Sequence, residues 1–180
     1  MFAEALKETI RRLDEAKINR LLADYALIGG FAVSAWGVPR ATQDLDFALV
    51  LGTVQPEALA RHLKAEFYLG DSDDPLRGMF QLSVSVKNHR IPVQLVLFPP
   101  SWNPIIFQGV ESLAIFDCSV PVVSWQTLIL LKMYAGGPQD LLDVQQILAV
   151  RQPNSLERTS LETCAEKVGL LEIWQNLGKH

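Results

Sequence analysis

Two carboxylates one residue apart, Asp44 and Asp46, follow a double glycine in the run Gly29-Gly30 … Arg40-Ala41-Thr42-Gln43-Asp44-Leu45-Asp46. An apolar run, Leu49 to Leu51, comes next. On a strand from Asp44 to Val50 the two-residue period sets Asp44 and Asp46 on one face and Leu45 on the other. Carboxylates held side by side repel each other unless a cation or a proton sits between them. A hard divalent cation, Mg²⁺ or Mn²⁺, suits such a pair, with phosphate oxygens completing its shell. The alternative is a solvated edge-strand face. Against it stand the apolar neighbours Leu45 and Phe47, because an interior strand is a costly place for two unpaired acids.

The glycines come after a short apolar strand, Tyr25 to Ile28, and before a short helix, Phe31 to Trp36. Bare amides at such a turn, reinforced by the helix dipole, suit a phosphate. A plain tight turn explains two glycines equally well. Arg40 has two readings, steering a phosphate or pairing with Asp44.

Several elements must position these groups. An amphipathic helix is expected over Phe2 to Leu22, with Leu6, Ile10 and Leu13 on its apolar stripe. Strands are expected at Tyr25 to Ile28, Gln43 to Leu51, Phe80 to Val86, Ile91 to Phe98 and Ser112 to Phe116. Lys87-Asn88-His89-Arg90 reads as the turn of a hairpin. Pro56 opens a helix running to about Glu66, and another short helix lies near Pro104 to Gly109. Ser124 is a suitable N-cap for a helix to about Tyr134. Gly136-Gly137-Pro138 ends it and starts another, to about Val150. A turn follows, then a helical stretch from Ser160 to Leu177 with a break near Gly169. This order gives an α+β fold: a mixed sheet of about five strands flanked by helices, with a helical C-terminal region. A single domain over 1–180 is expected, its sheet core at 22–120 and its helical region at 121–180.

The totals narrow the classes. The 180-residue chain carries a net charge of −4, so no generic nucleic-acid surface is evident. No apolar run reaches the ~18 residues of a membrane span. The two cysteines, Cys118 and Cys164, have no zinc spacing and read as buried free thiols, and the early acids Glu4 and Glu8 do not suit a signal peptide, so a cytoplasmic protein is expected. His62 and His89 read as solvated, and His180 is terminal. Trp36, Trp102, Trp125 and Trp174 read as packing residues rather than base-stacking platforms.

The run Leu27-Ile28-Gly29-Gly30-Phe31-Ala32-Val33-Ser34-Ala35-Trp36-Gly37, followed by Arg40-Ala41-Thr42-Gln43-Asp44-Leu45-Asp46-Phe47, resembles the nucleotidyltransferases of the polymerase-β superfamily. It looks most like their small bacterial branch, related to abortive-infection and toxin–antitoxin systems. The later run Leu130-Leu131-Lys132-Met133-Tyr134-Ala135-Gly136-Gly137-Pro138-Gln139-Asp140-Leu141-Leu142-Asp143-Val144 is similar to a second signature of that branch. The resemblance implies the nucleotidyltransferase fold and transfer of an NMP from an NTP to an acceptor, which is a protein side chain, an RNA end or a small molecule. It implies that Asp44 and Asp46 hold Mg²⁺ or Mn²⁺ and that Gly29 and Gly30 cradle phosphates. Arg40 and Thr42 join the nucleotide-binding set, with Lys132 contacting the triphosphate as a point charge. Asp140 either pairs with Lys132 or faces the nucleotide, and Asp143 is a structural partner within its helix. A cognate toxin or antitoxin partner is also implied.

The superfamily carries a third catalytic carboxylate on a neighbouring strand. The equivalent strand here is Ile91-Pro92-Val93-Gln94-Leu95-Val96-Leu97, and its polar position is Gln94. A neutral amide is no general base near neutral pH and a poorer metal ligand than a carboxylate. Three outcomes stay open: one metal with help from the substrate, another acid such as Asp71, Asp73 or Asp74 reaching in, or a module that binds nucleotide without turning it over.

Overall fold

The computed structural model describes residues 1–70 and 76–177. Asp71, Asp73, Asp74 and His180 lie outside the described residues.

Helix α1, Phe2–Ile18, turns Ala5, Leu6, Thr9, Leu13 and Ala16 inward. It stops short of the expected Leu22, because Arg20 takes a left-handed backbone (φ 58°) and the chain enters strand β1, Leu22–Ile28. Helix α2, Gly29–Ala35, starts at the double glycine itself. Strand β2 is Leu45–Leu51 and helix α3 is Pro56–Leu63. Lys64, at φ 54°, terminates α3 before the expected Glu66. Glu66 instead opens a four-residue strand, β3, ending at Leu69.

The hairpin forms as β4, Gly78–Val86, and β5, His89–Leu97. Its turn is only Lys87-Asn88, since Val86 pairs with His89 and Ser85 with Arg90. His89 and Arg90 are therefore strand residues, a correction to the four-residue turn. A 3₁₀ turn at Pro100–Trp102 leads into the short helix α4, Asn103–Phe107.

Strands β6, Glu111–Ile115, and β7, Cys118–Val122, make a second hairpin. Helix α5, Trp125–Ala135, starts at Ser124, whose hydroxyl accepts from the Thr127 amide, the expected cap. Helices α6, Pro138–Arg151, α7, Ser155–Lys167, and α8, Leu171–Leu177, complete the chain.

The strands form one mixed seven-stranded sheet in the order β3-β4-β5-β2-β1-β7-β6, two strands more than expected. β3 and β7 are the additions. β3 is an edge strand with little buried surface, and β7 contains Pro121, which has no N–H to donate. β7 meets β1 at the single registered pair Leu27–Val122.

One face of the sheet holds Leu45, Phe47 and Leu49, all buried. Helix α1 covers that face, where the Tyr25 hydroxyl donates to Asp14 at 2.7 Å. The opposite face presents Ile28, Asp46 and Gln94 toward α5. Alternation along β2 thus sets the apolar side chains against α1 and the acid on the other side. Among the described residues no helix is long and apolar enough to cross a membrane.

Candidate active site

The glycines and the acids meet at the end of the β1–β2 pair. Ile28 is registered opposite Asp46, so the turn after Ile28 runs directly past the Asp46 side chain. Gly29 adopts φ +66°, and a Cβ built on it would lie 2.0 Å from Asp46 Oδ2. A Cβ on Gly30 would lie 2.8 Å from the Thr42 Cβ. Two side chains of the Arg40 to Asp46 segment therefore fill the room the glycines leave, which a plain turn does not require.

Asp44 sits just before β2. Its Oδ1 accepts from the Thr42 hydroxyl at 2.8 Å, and its Oδ2 lies 3.5 Å from the Gln94 amide nitrogen. Gln94 is the registered neighbour of Asp46 across the parallel β2–β5 pair. Burial, together with the nearby charge of Asp44, pushes the Asp46 carboxyl up to about 7, against the pull of Lys132. Desolvation is the larger cause and repulsion by Asp44 the smaller, and Lys132 offsets them only in part.

Lys132 is almost wholly buried, on the inner side of α5. Its ammonium lies 2.7 Å from Asp140 Oδ1 and 2.9 Å from Asp143 Oδ2. Burial opposes its charge, but these two hydrogen-bonded acids outweigh that and raise its pKa. Asp143, with no exposed surface, also faces the Arg40 guanidinium at 3.3 Å and accepts from Gln139 at 3.1 Å. Burial disfavours its charged form, yet Lys132, Gln139 and Arg40 prevail and hold the carboxyl below the usual range. Asp143 thus ties three segments together: α5, α6 and the stretch before β2.

The expected site residues separate into two groups. Gly29, Asp46, Gln94, Lys132 and Asp140 line one cleft of about 430 Å³ between the sheet and α5. Asp44 and Thr42 join it through the contacts with Gln94 and with each other. Arg40 does not pair with Asp44; its guanidinium engages Asp143 and the Ala41 carbonyl. Asp143 is more than a partner within α6, since its charge partners come from outside that helix. Asp140 both pairs with Lys132 and lines the cleft.

Sequence reasoning missed the apolar wall of the cleft, where Val96, Phe98, Leu128, Leu131 and Tyr134 stand. In sequence these residues are indistinguishable from core, because only the approach of α5 to the sheet leaves them facing a hollow. A larger hollow of about 680 Å³ between α4, α5 and α7 contains none of the expected site residues. The cysteines are free but half-buried rather than buried. Trp36, Trp102 and Trp125 are core residues.

A hard divalent cation fits this donor set. Two carboxylates converge, one is seated in a glycine-lined cradle that a Cβ would fill, and hard cations take oxygen ligands. Among the described residues no group of three or more His, Cys, Asp or Glu side chains could hold a metal, and oxygens of a ligand or water would complete the shell of an ion on the pair.

The fold is that of the nucleotidyltransferases. It is similar to the crystal structure of an antigenic nucleotidyltransferase-like protein from Paracoccidioides brasiliensis, at 18% identity and TM-score 0.53 over 97% of this chain and 93% of that one. It is also similar to the solution structure of the antibiotic-resistance factor ANT(2'')-Ia, at 13% identity and TM-score 0.51 over 93% of this chain and 95% of that one. No protein-family model and no curated protein matches the chain.

Proposed function

We propose that this chain is a nucleotidyltransferase that moves an NMP from an NTP to an acceptor: a protein side chain, an RNA end or a small molecule. The observation that carries this reading is Asp46 set beside Gly29 and Lys132 in one cleft, with Asp44 adjoining it through Gln94. Mg²⁺ or Mn²⁺ held by Asp44 and Asp46 would neutralise triphosphate charge.

The chain's own residues bind and orient. Gly29, having no side chain, seats the Asp46 carboxylate against the turn whose amides would meet the phosphates. Lys132 adds a positive charge whose position is fixed by Asp140 and Asp143. Thr42 holds Asp44 by its hydroxyl. The acceptor oxygen bonds to the α-phosphorus, the bond to the β-phosphate oxygen breaks, pyrophosphate leaves, and the acceptor proton passes to water. Gln94 takes no proton. The catalytic contribution is positioning and charge compensation.

A second reading, favoured by Gln94 alone, is a nucleotide-binding or partner-binding module of a toxin–antitoxin type system with weak or absent turnover. Incubation with labelled NTPs, Mg²⁺ or Mn²⁺ and cell extract separates the two. The first gives a labelled acceptor with the wild type and none with Asp44→Asn or Asp46→Asn. The second gives an NTP-dependent rise in melting temperature without label. No thermal response to any NTP with metal would sink the first reading and the nucleotide-binding form of the second.

A further inference from the structure

Resting on the nucleotidyl-transfer reading, we propose that Gln94 restricts the site to a single divalent cation. Asp46 and Gln94 are registered neighbours on the parallel strands β2 and β5, so both side chains leave the sheet on the same face. The Gln94 amide nitrogen lies 3.5 Å from Asp44 Oδ2. A carboxylate can only accept, so it fixes the N–H side of the amide toward Asp44. A second cation would need an anionic oxygen where these N–H groups point.

The other charged groups nearby are already paired. Lys132 and Arg40 bring two positive charges, and Asp140 and Asp143 bring two negative ones, in contacts of 2.7 to 3.3 Å. That network closes on itself. Asp44 and Asp46 remain, and as carboxylates their two charges balance one divalent ion. Paired-metal sites hold their ions about 3.5–4 Å apart, and a second ion here would meet the Gln94 amide where such a site needs another oxygen ligand. Among the described residues no third acid joins the pair to form a metal-holding group.

The test counts bound Mn²⁺ by electron paramagnetic resonance. The full chain is mixed, in excess, with the α,β-imido analogues of ATP, GTP, CTP and UTP in turn. The expected count is one Mn²⁺ per complex in the wild type and two in Gln94→Asp or Gln94→Glu, each checked for folding by its thermal melt. Gln94→Ala, which adds no charge, should keep one ion within about threefold of the wild-type affinity, or roughly 0.7 kcal/mol. Two ions in the wild type would overturn the inference, whichever residue supplied the extra ligand, and leave nucleotidyl transfer intact. One ion in all the folded Asp and Glu variants would show that Gln94 does not set the count. Loss of the ion in Gln94→Ala would make Gln94 itself a ligand, also against the inference. No bound Mn²⁺ with any analogue would defeat the metal-dependent reading beneath it.

Discussion

Asp46 Oδ2 occupies the space that a side chain on Gly29 would need: the ideal Cβ would come within 2.0 Å of that oxygen, at a backbone φ of +66°. The acid and the glycine are therefore one structural unit, joined by the Ile28–Asp46 register of β1 and β2.

Gly29→Ala should accordingly fail in two ways. The left-handed backbone alone costs about 1–2 kcal/mol for a residue with a Cβ, and Asp46 must also move. Urea unfolding should show at least that loss of stability, and the melting-temperature rise with NTP and Mg²⁺ should disappear. A variant with wild-type stability and an intact nucleotide response would contradict the coupling.

Asp46 should make stability depend on pH in an unusual direction for an acid. Its folded pKa is raised to about 7 from 3.8, so the folded state binds the extra proton. The stabilisation is complete below the unfolded value and is lost as pH rises through about 7. The loss is bounded by about 4 kcal/mol, three units at about 1.4 kcal/mol each. Without metal, Asp46→Asn should melt above the wild type at pH 8 and level with it below pH about 4, following the same linkage. Equal melts at pH 8 would remove the desolvated, repelled carboxylate from the account.

Asp143→Ala leaves Lys132 and Arg40 without the buried acid between them, and removing one member of a buried pair costs about 3–5 kcal/mol. The double replacement Lys132→Met with Asp143→Leu removes both charges of the 2.9 Å pair and should recover at least about half of that loss, since apolar replacement of both partners is close to neutral. Chemical denaturation of Lys132→Met, Asp143→Leu and the double variant gives the coupling directly. Purely additive losses would mean that the pair is not a unit.

Thr42→Val keeps the shape of the residue and removes the hydroxyl that donates to Asp44 at 2.8 Å. A stability loss of about 0.5–1.5 kcal/mol is expected from one such bond. Mn²⁺ affinity, measured by calorimetry, should fall because Asp44 is no longer held. Unchanged affinity would assign Thr42 to the turn alone.

The local chemistry was legible in the chain. The period of a strand separates Asp46 from Leu45 and Phe47 without reference to anything distant, and a double glycine after an apolar run can be read as a turn, whereas Asp44, expected on the same strand, lies one residue before it. Ser124 announces α5 for the same reason, because a cap is satisfied within its own first turn. The resemblance of the two motifs anticipated the fold and brought Lys132 and Asp140 into the discussion.

Tertiary structure alone decided the partners. Arg40 and Asp143 are 103 positions apart, and no spacing rule joins them. Arg40 was free to choose between a phosphate and Asp44 until α6 brought a buried carboxylate to it. Strands β3 and β7 went unseen because one is a short exposed edge and the other carries a proline, so their pairing depends on neighbours rather than on their own pattern. The cleft wall was invisible for a related reason: a phenylalanine or leucine looks the same in sequence whether it meets another side chain or an empty space. Periodicity and turn chemistry are properties of consecutive residues, whereas burial, ion pairing and concavity arise only where remote segments meet.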